Sequence, residues 1–260
     1  MVVAPMLDAR QGAYAAGPWR HLVLVEDGDV DEGAGLRNGA FQRPAAADNS
    51  AMNIVFDLGA VLFTWEPERL VTTHLGAHAP TAEAVDALVR ELFHHEDWLG
   101  FDRGTHTLDD AIGRMALRLQ LPAQQLGAML PIDAVHLAPI TVGVALLADL
   151  RARRDAGADL RLYYLSNMPA PHARALERQY PFMKWFDGGI FSGDVQLLKP
   201  QLEIYQLLAA RHALKPADTV FIDDAQANVE AARALGWHAI HCKAPAALAG
   251  QLAPYLDALD

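Results

Sequence analysis

Asn53-Ile54-Val55-Phe56-Asp57-Leu58-Gly59-Ala60-Val61-Leu62 is an apolar run interrupted by one acid and one glycine. Residues 53–56 have the apolar character of a short strand buried on both faces, as in a parallel sheet, and Asp57 and Gly59 fall where the chain turns away from its carboxyl end. Open α/β sheets place their chemistry at that edge. Three later stretches have a similar form: Tyr163-Tyr164-Leu165-Ser166-Asn167, Leu197-Leu198-Lys199-Pro200 and Val220-Phe221-Ile222-Asp223-Asp224. Parallel strands ending on one edge would bring Asp57, Ser166, Lys199, Asp223 and Asp224 together, although they lie far apart in the chain. Taken singly, Ser-Asn is a common turn and a lysine before proline a common solvated loop residue. The acid pair is costly beside a sheet core unless it meets a cation.

Outward from these stretches the pattern changes twice. From Trp65 to about Pro139 the strand-like runs give way to helical ones, 67–75, 81–93, 107–119 and 123–135. Thr107-Leu108-Asp109-Asp110 offers a hydroxyl cap with acids in the first turn. Such an all-helical insert after the first strand predicts a small second domain, a cap over 66–139. His94, His95, Glu96, Asp97 and His106 match no standard metal-ligand spacing and are read as a solvated helix end. After Pro139 strands and helices alternate to the end: helix 141–154, strand 160–165, helix 171–180, strand 189–191, helix 201–214, strand 219–223, helix 225–235 and strand 237–242. This alternation predicts an α/β fold, a doubly wound parallel sheet with a Rossmann-like core from 52–65 and 140–260.

With 260 residues, 52% of them hydrophobic and 20% charged, the chain is long enough for a full core and a small second unit. A formal charge of −11 and no basic run argue against nucleic acid as a partner. No apolar stretch approaches a membrane span. The single cysteine, Cys242, is expected to be a buried thiol, and a reducing cytoplasm fits it. Residues 1–51 carry Gly, Pro, Ala and scattered charge and are expected to form a poorly ordered extension without a signal peptide. Gly33-Ala34-Gly35 has the wrong spacing to Gly39 for a dinucleotide loop, and Met52 directly before the first strand is a second candidate start.

The four stretches, in order, resemble the four motifs of the haloacid dehalogenase-like hydrolase superfamily, most of whose members are magnesium-dependent phosphatases working through an aspartyl-phosphate. The resemblance covers about Met52 to Ala247 and includes Ile190-Phe191-Ser192-Gly193-Asp194 and Lys199-Pro200-Gln201-Leu202-Glu203-Ile204-Tyr205. It is nearest to the bacterial branch that writes Asp-Leu-Gly in the first motif, which includes sugar-phosphate phosphatases of the glucose 1-phosphate type.

The resemblance implies a catalytic set of Asp57 as nucleophile with Ser166 and Lys199. It implies a phosphate-binding set of Ser166, Asn167 and Lys199, and Mg²⁺ on Asp57, the carbonyl of Gly59, Asp223 and Asp224. The chemistry is consistent, because a carboxylate attacks a phosphorus only when anionic repulsion is neutralised, and a magnesium ion and an ammonium do that. The expected substrate is a small phosphorylated molecule, a sugar phosphate and in particular a sugar 1-phosphate, handled by a monomer or homodimer. One departure matters. The family's second aspartate, which protonates the leaving oxygen, falls at Gly59, so acid-base help worth about 10² to 10⁴ in rate has to come from elsewhere. Glu66 is a candidate substitute. A catalytically impaired homologue that binds a phosphorylated ligand is the alternative function. Dehalogenases of the superfamily need no magnesium, which the acid pair argues against, and phosphonate hydrolases need a cap lysine, which 65–139 lacks.

Overall fold

The computed structural model describes residues 51–130 and 137–256. The expected extension over 1–51, Ala51 apart, lies outside the described residues, as does the end of the helix expected to reach residue 135. Strands β1 (Met52–Phe56), β2 (Leu160–Ser166), β3 (Gly188–Phe191), β4 (Thr219–Asp223) and β5 (His238–His241) form one all-parallel sheet in the order β3-β2-β1-β4-β5. Phe56 pairs with Tyr164 on one side and Ile222 on the other, so Asp57, Ser166 and Asp223 leave the sheet at one edge. The strand order reverses direction around β1, which makes this edge the switch point of the sheet.

Strict alternation along β1 builds two cores. Ile54 and Phe56 pack with Leu162, Val220 and Ile222 beneath α6 (Thr141–Asp155) and α10 (Leu248–Leu256). Val55 faces the other way, with Tyr163, Leu165 and Phe221, beneath α8 (Leu202–His212) and α9 (Gln226–Ala234). Each fully buried Ile or Phe of this kind contributes about 1.5–3 kcal/mol. Helix α7 (Ala170–Gln179) completes the alternation. The sequence assigned nothing after Cys242, and α10 fills that gap. Cys242 is buried beyond the end of β5 rather than within it.

Between β1 and α6 lie five helices, α1 (Pro67–Leu75), α2 (Ala82–Phe93), α3 (Glu96–Arg103), α4 (Leu108–Leu119) and α5 (Ala123–Met129). They gather Val71, Leu75, Val89, Leu92, Phe101, Met115 and Leu126 into a hydrophobic cluster of their own. The insert leaves and returns side by side, since Thr64 N donates to Ala138 O at 2.8 Å and Ile140 N to Leu62 O at 2.8 Å. Thr107 closes the capping box expected of it, accepting from Asp110 N while Asp110 accepts from Thr107 N. Four helices are expected here, and five are present among the described residues. The fifth, α3, occupies the acid- and histidine-rich segment read as a solvated helix end. That reading needs correction at Asp97, which is buried and takes Arg118 Nε at 2.8 Å.

Candidate active site

The edge loops after β1, β2 and β4 and the segment before α8 converge on one lysine. Lys199, 5% exposed, places Nζ 2.8 Å from Asp57 Oδ1 and 2.6 Å from Asp223 Oδ2. Asp223 is wholly buried and fully engaged: it also accepts from Ala225 N at 2.8 Å and from Asn228 Nδ2 at 2.9 and 3.0 Å. Burial alone would push the Lys199 ammonium down, but the charges of Asp223 and Asp57 prevail and hold it above the ordinary range. Burial pushes the Asp57 carboxyl up to about 7, against Lys199 and with the help of Asp223 and Asp224. Asp224 is raised for the same reasons, burial first and then Asp223.

Ser166 ends β2 buried at the same edge. Asn167 behaves differently from the expectation. Its carboxamide clamps the main chain of Lys199, with Nδ2 donating to Lys199 O at 3.0 Å and Lys199 N donating to Oδ1 at 2.8 Å. The side chain expected to grip a phosphate is therefore turned to holding the lysine, and we assign it a positioning role. Pro200 does not sit in the first turn of α8, which begins at Leu202 behind Gln201 as cap. The clamp holds the main chain at the point where Lys199 leaves it. Glu66 is exposed and paired with Arg69 at 2.7 Å, and it does not line the cavity described next.

Asp57, Gly59, Ser166, Asn167, Lys199 and Asp224 line the floor of a cavity of about 460 Å³. The walls come largely from the helical insert and the β2–α7 loop and are mostly apolar: Trp65, Leu70, Trp98, Met129, Leu130, Leu137, Met168 and Pro169. Trp65, Phe93 and Trp98 pack edge-on and stacked, with Phe101 against Trp98. Among the described residues the polar ones on these walls are His94, Asp102 and His172, with Asn228 from α9. Asp102, on α3, was not singled out in the sequence. It is 8% exposed, and burial pushes its carboxyl up to about 7 despite a hydrogen bond from the Trp98 side chain and the charge of Lys199.

Asp57, Asp223 and Asp224 each offer a carboxylate oxygen, all within 4.8 Å of one another. A donor set of oxygens alone suits a hard cation such as Mg²⁺. Asp223 is already saturated by its neighbours, which leaves Asp57 and Asp224 as the freer ligands.

The model for haloacid dehalogenase-like hydrolases matches residues 54–236. The chain belongs to this family. The chain is similar to the sesquiterpene phosphatase astK of Aspergillus oryzae, 29% identical over 72% of this chain and 87% of the relative. The drimenol cyclase drtB of Aspergillus calidoustus is 27% identical over 72% of this chain, which spans only 33% of that longer protein. Among solved haloacid dehalogenase-like structures, a Bacteroides thetaiotaomicron enzyme crystallised with magnesium and inorganic phosphate superposes with a TM-score of 0.56. It is 22% identical and is covered over 93% of its length by 74% of this chain, a likeness of fold.

Proposed function

We propose that this hydrolase cleaves phosphomonoesters with the Asp57 carboxylate as nucleophile, and that its substrates carry an apolar alcohol. The observation that supports the chemistry is the Lys199 ammonium held between Asp57 and Asp223 at the floor of the cavity. A bound Mg²⁺ on Asp57 and Asp224 would supply the remaining positive charge for a phosphoryl group. The chain's own residues do the rest. In this reading Lys199 offsets the charge of the incoming phosphate, the Ser166 hydroxyl donates to one of its oxygens, and Asn167 keeps the lysine from drifting. The helices over 66–139 act as a cap that covers the phosphate and excludes water.

The substrate class follows from the walls. A sugar phosphate, the class suggested by the Asp-Leu-Gly resemblance, would need hydrogen-bond partners for several hydroxyls, and the walls offer mainly Trp, Leu and Met side chains. An isoprenoid or similar hydrocarbon alcohol would bury its length against them, and the sesquiterpene phosphatase relative supports that choice. Gly59 favours a second reading, a binding protein impaired in catalysis. Phosphate release by the purified chain separates the two. We expect magnesium-stimulated release from farnesyl phosphate with a higher kcat/KM than from glucose 1-phosphate, silenced by chelator and lost in Asp57→Asn. Full activity in Asp57→Asn would overturn the nucleophile, and a preference for the sugar ester would overturn the substrate class.

A further inference from the structure

We propose that Asp102, on the helical insert, is the proton donor to the leaving oxygen and the base for the hydrolytic water. This inference rests on the phosphomonoesterase reading above. Among the described carboxylates lining the cavity, Asp57 and Asp224 belong to the floor, and Asp102 comes from the side that would meet the alcohol. Its main chain is fixed to the core: Ser192 Oγ donates to Asp102 O at 2.6 Å and accepts from Met168 N at 2.8 Å. Two residues on, Gly104 runs against Gly193 so closely that a Cβ on it would lie 2.6 Å from Gly193 O. The turn that carries the acid is thus fixed to the core through its main chain.

Its environment suits a group that must both give and take a proton. Burial, together with a place in the last turn of α3 where the helix dipole disfavours a carboxylate, keeps the protonated form available near neutrality. The Trp98 hydrogen bond and Lys199 keep the charged form accessible. Besides Lys199, the other titratable groups lining the same cavity among the described residues are Asp57, Asp224, His94 and His172.

Steric exclusion does not explain the glycine where the family has its acid. A Cβ built on Gly59 meets nothing nearer than Trp65 Cβ at 3.8 Å. In the first half-reaction a bond forms between an Asp57 oxygen and phosphorus while the bond from phosphorus to the leaving oxygen breaks. That oxygen keeps the electron pair and takes the Asp102 proton. In the second, Asp102 carboxylate accepts a proton from water as the water oxygen attacks and releases Asp57. Alcohol and phosphate are the products, and Asp102 ends protonated as it began.

The test compares hexyl phosphate, a poor leaving group, with p-nitrophenyl phosphate, a good one, in the presence of magnesium. Asp102→Asn is expected to lose about 10² to 10⁴ in kcat/KM on the alkyl ester and less than about tenfold on the aryl ester. On the aryl ester it should release a burst of one nitrophenol per site before slow turnover, as the aspartyl-phosphate accumulates. Gly59→Asp should restore alkyl turnover in the Asp102→Asn background. A merely structural Asp102 would lower both esters in proportion and give no burst, which would overturn the proposal. The wild type decides the matter if Asp102→Asn fails to fold. With an acid supplying the proton, kcat/KM for hexyl phosphate should lie within about 10²-fold of that for p-nitrophenyl phosphate, and a larger gap would show that no acid acts and overturn the proposal. Wild type that cleaves neither ester would instead overturn the phosphomonoesterase reading itself.

Discussion

A carboxyl in the wrong solvent leaves a thermodynamic trace, and at Asp102 the sign can be worked out. Its folded value of about 7 lies above the ordinary 3.8, so the native state keeps the proton to higher pH than the unfolded chain does. The stability contributed by this group therefore falls as pH rises from roughly 4 to about 7, by about 1.4 kcal/mol per pH unit at most, and is level above that. Asp102→Asn removes the titration while keeping an acceptor for Trp98. Thermal unfolding in chelator should show the variant gaining on wild type across that window, and a difference independent of pH would contradict the buried acid. Asn167 makes a second prediction. Asn167→Ala frees both hydrogen bonds to the Lys199 main chain, and kcat should drop about tenfold or more through loss of placement. Inhibition by inorganic phosphate should be affected less, and a large loss of phosphate affinity at constant kcat would return Asn167 to the phosphate site. Neither behaviour was legible in the sequence. Asn167 follows Ser166 and so looked like its partner, whereas its bonds go to a residue far along the chain. Asp102 reads as one more acid before Arg103 and Gly104, and only the docking of α3 buries it.

At the scale of elements, strands were more legible than the helix that matters most to the acid. Strand β4, Thr219–Asp223, is buried at every position, and its middle, Val220-Phe221-Ile222, is the unbroken apolar run that burial on both faces demands and that is hard to misread. Helix α3 has the opposite character: eight residues carrying four charges and a glycine at 100, capped by a histidine instead of a serine or threonine. Its place is set by tertiary contacts, and its C-terminal Gly104 shows how. That residue takes the left-handed conformation at φ 80° and leaves no room for a Cβ against Gly193. Gly104→Ala should therefore destabilise by more than 1 kcal/mol and lower turnover of alkyl esters with it, because the acid-bearing turn would be pushed off the core. Urea unfolding together with kinetics checks this, and a stable, fully active variant would show that α3 tolerates a different docking.

The molecule as a whole carries a formal charge of −11 and is proposed to bind a dianion. Long-range repulsion slows such an encounter and salt screens it, so kcat/KM for a phosphate monoester should rise as ionic strength increases from about 0.01 to 0.15 M at fixed magnesium. A falling value would indicate a local positive funnel around the cavity mouth that outweighs the net charge. The doubly wound sheet was legible at this scale because alternation of strand and helix patterns survives without any tertiary knowledge, while the identity of the substrate was not, since it depends on which insert side chains share one wall. The room for a Cβ at Gly59 has a historical consequence. A glycine codon ending in a pyrimidine becomes an aspartate codon through one base change, so a lineage can cross between a lone acid on the insert and a second acid on the sheet edge in one genetic step. An intermediate holding both would keep working throughout, which makes the relocation of a proton donor from one part of a fold to another a neutral walk rather than a leap.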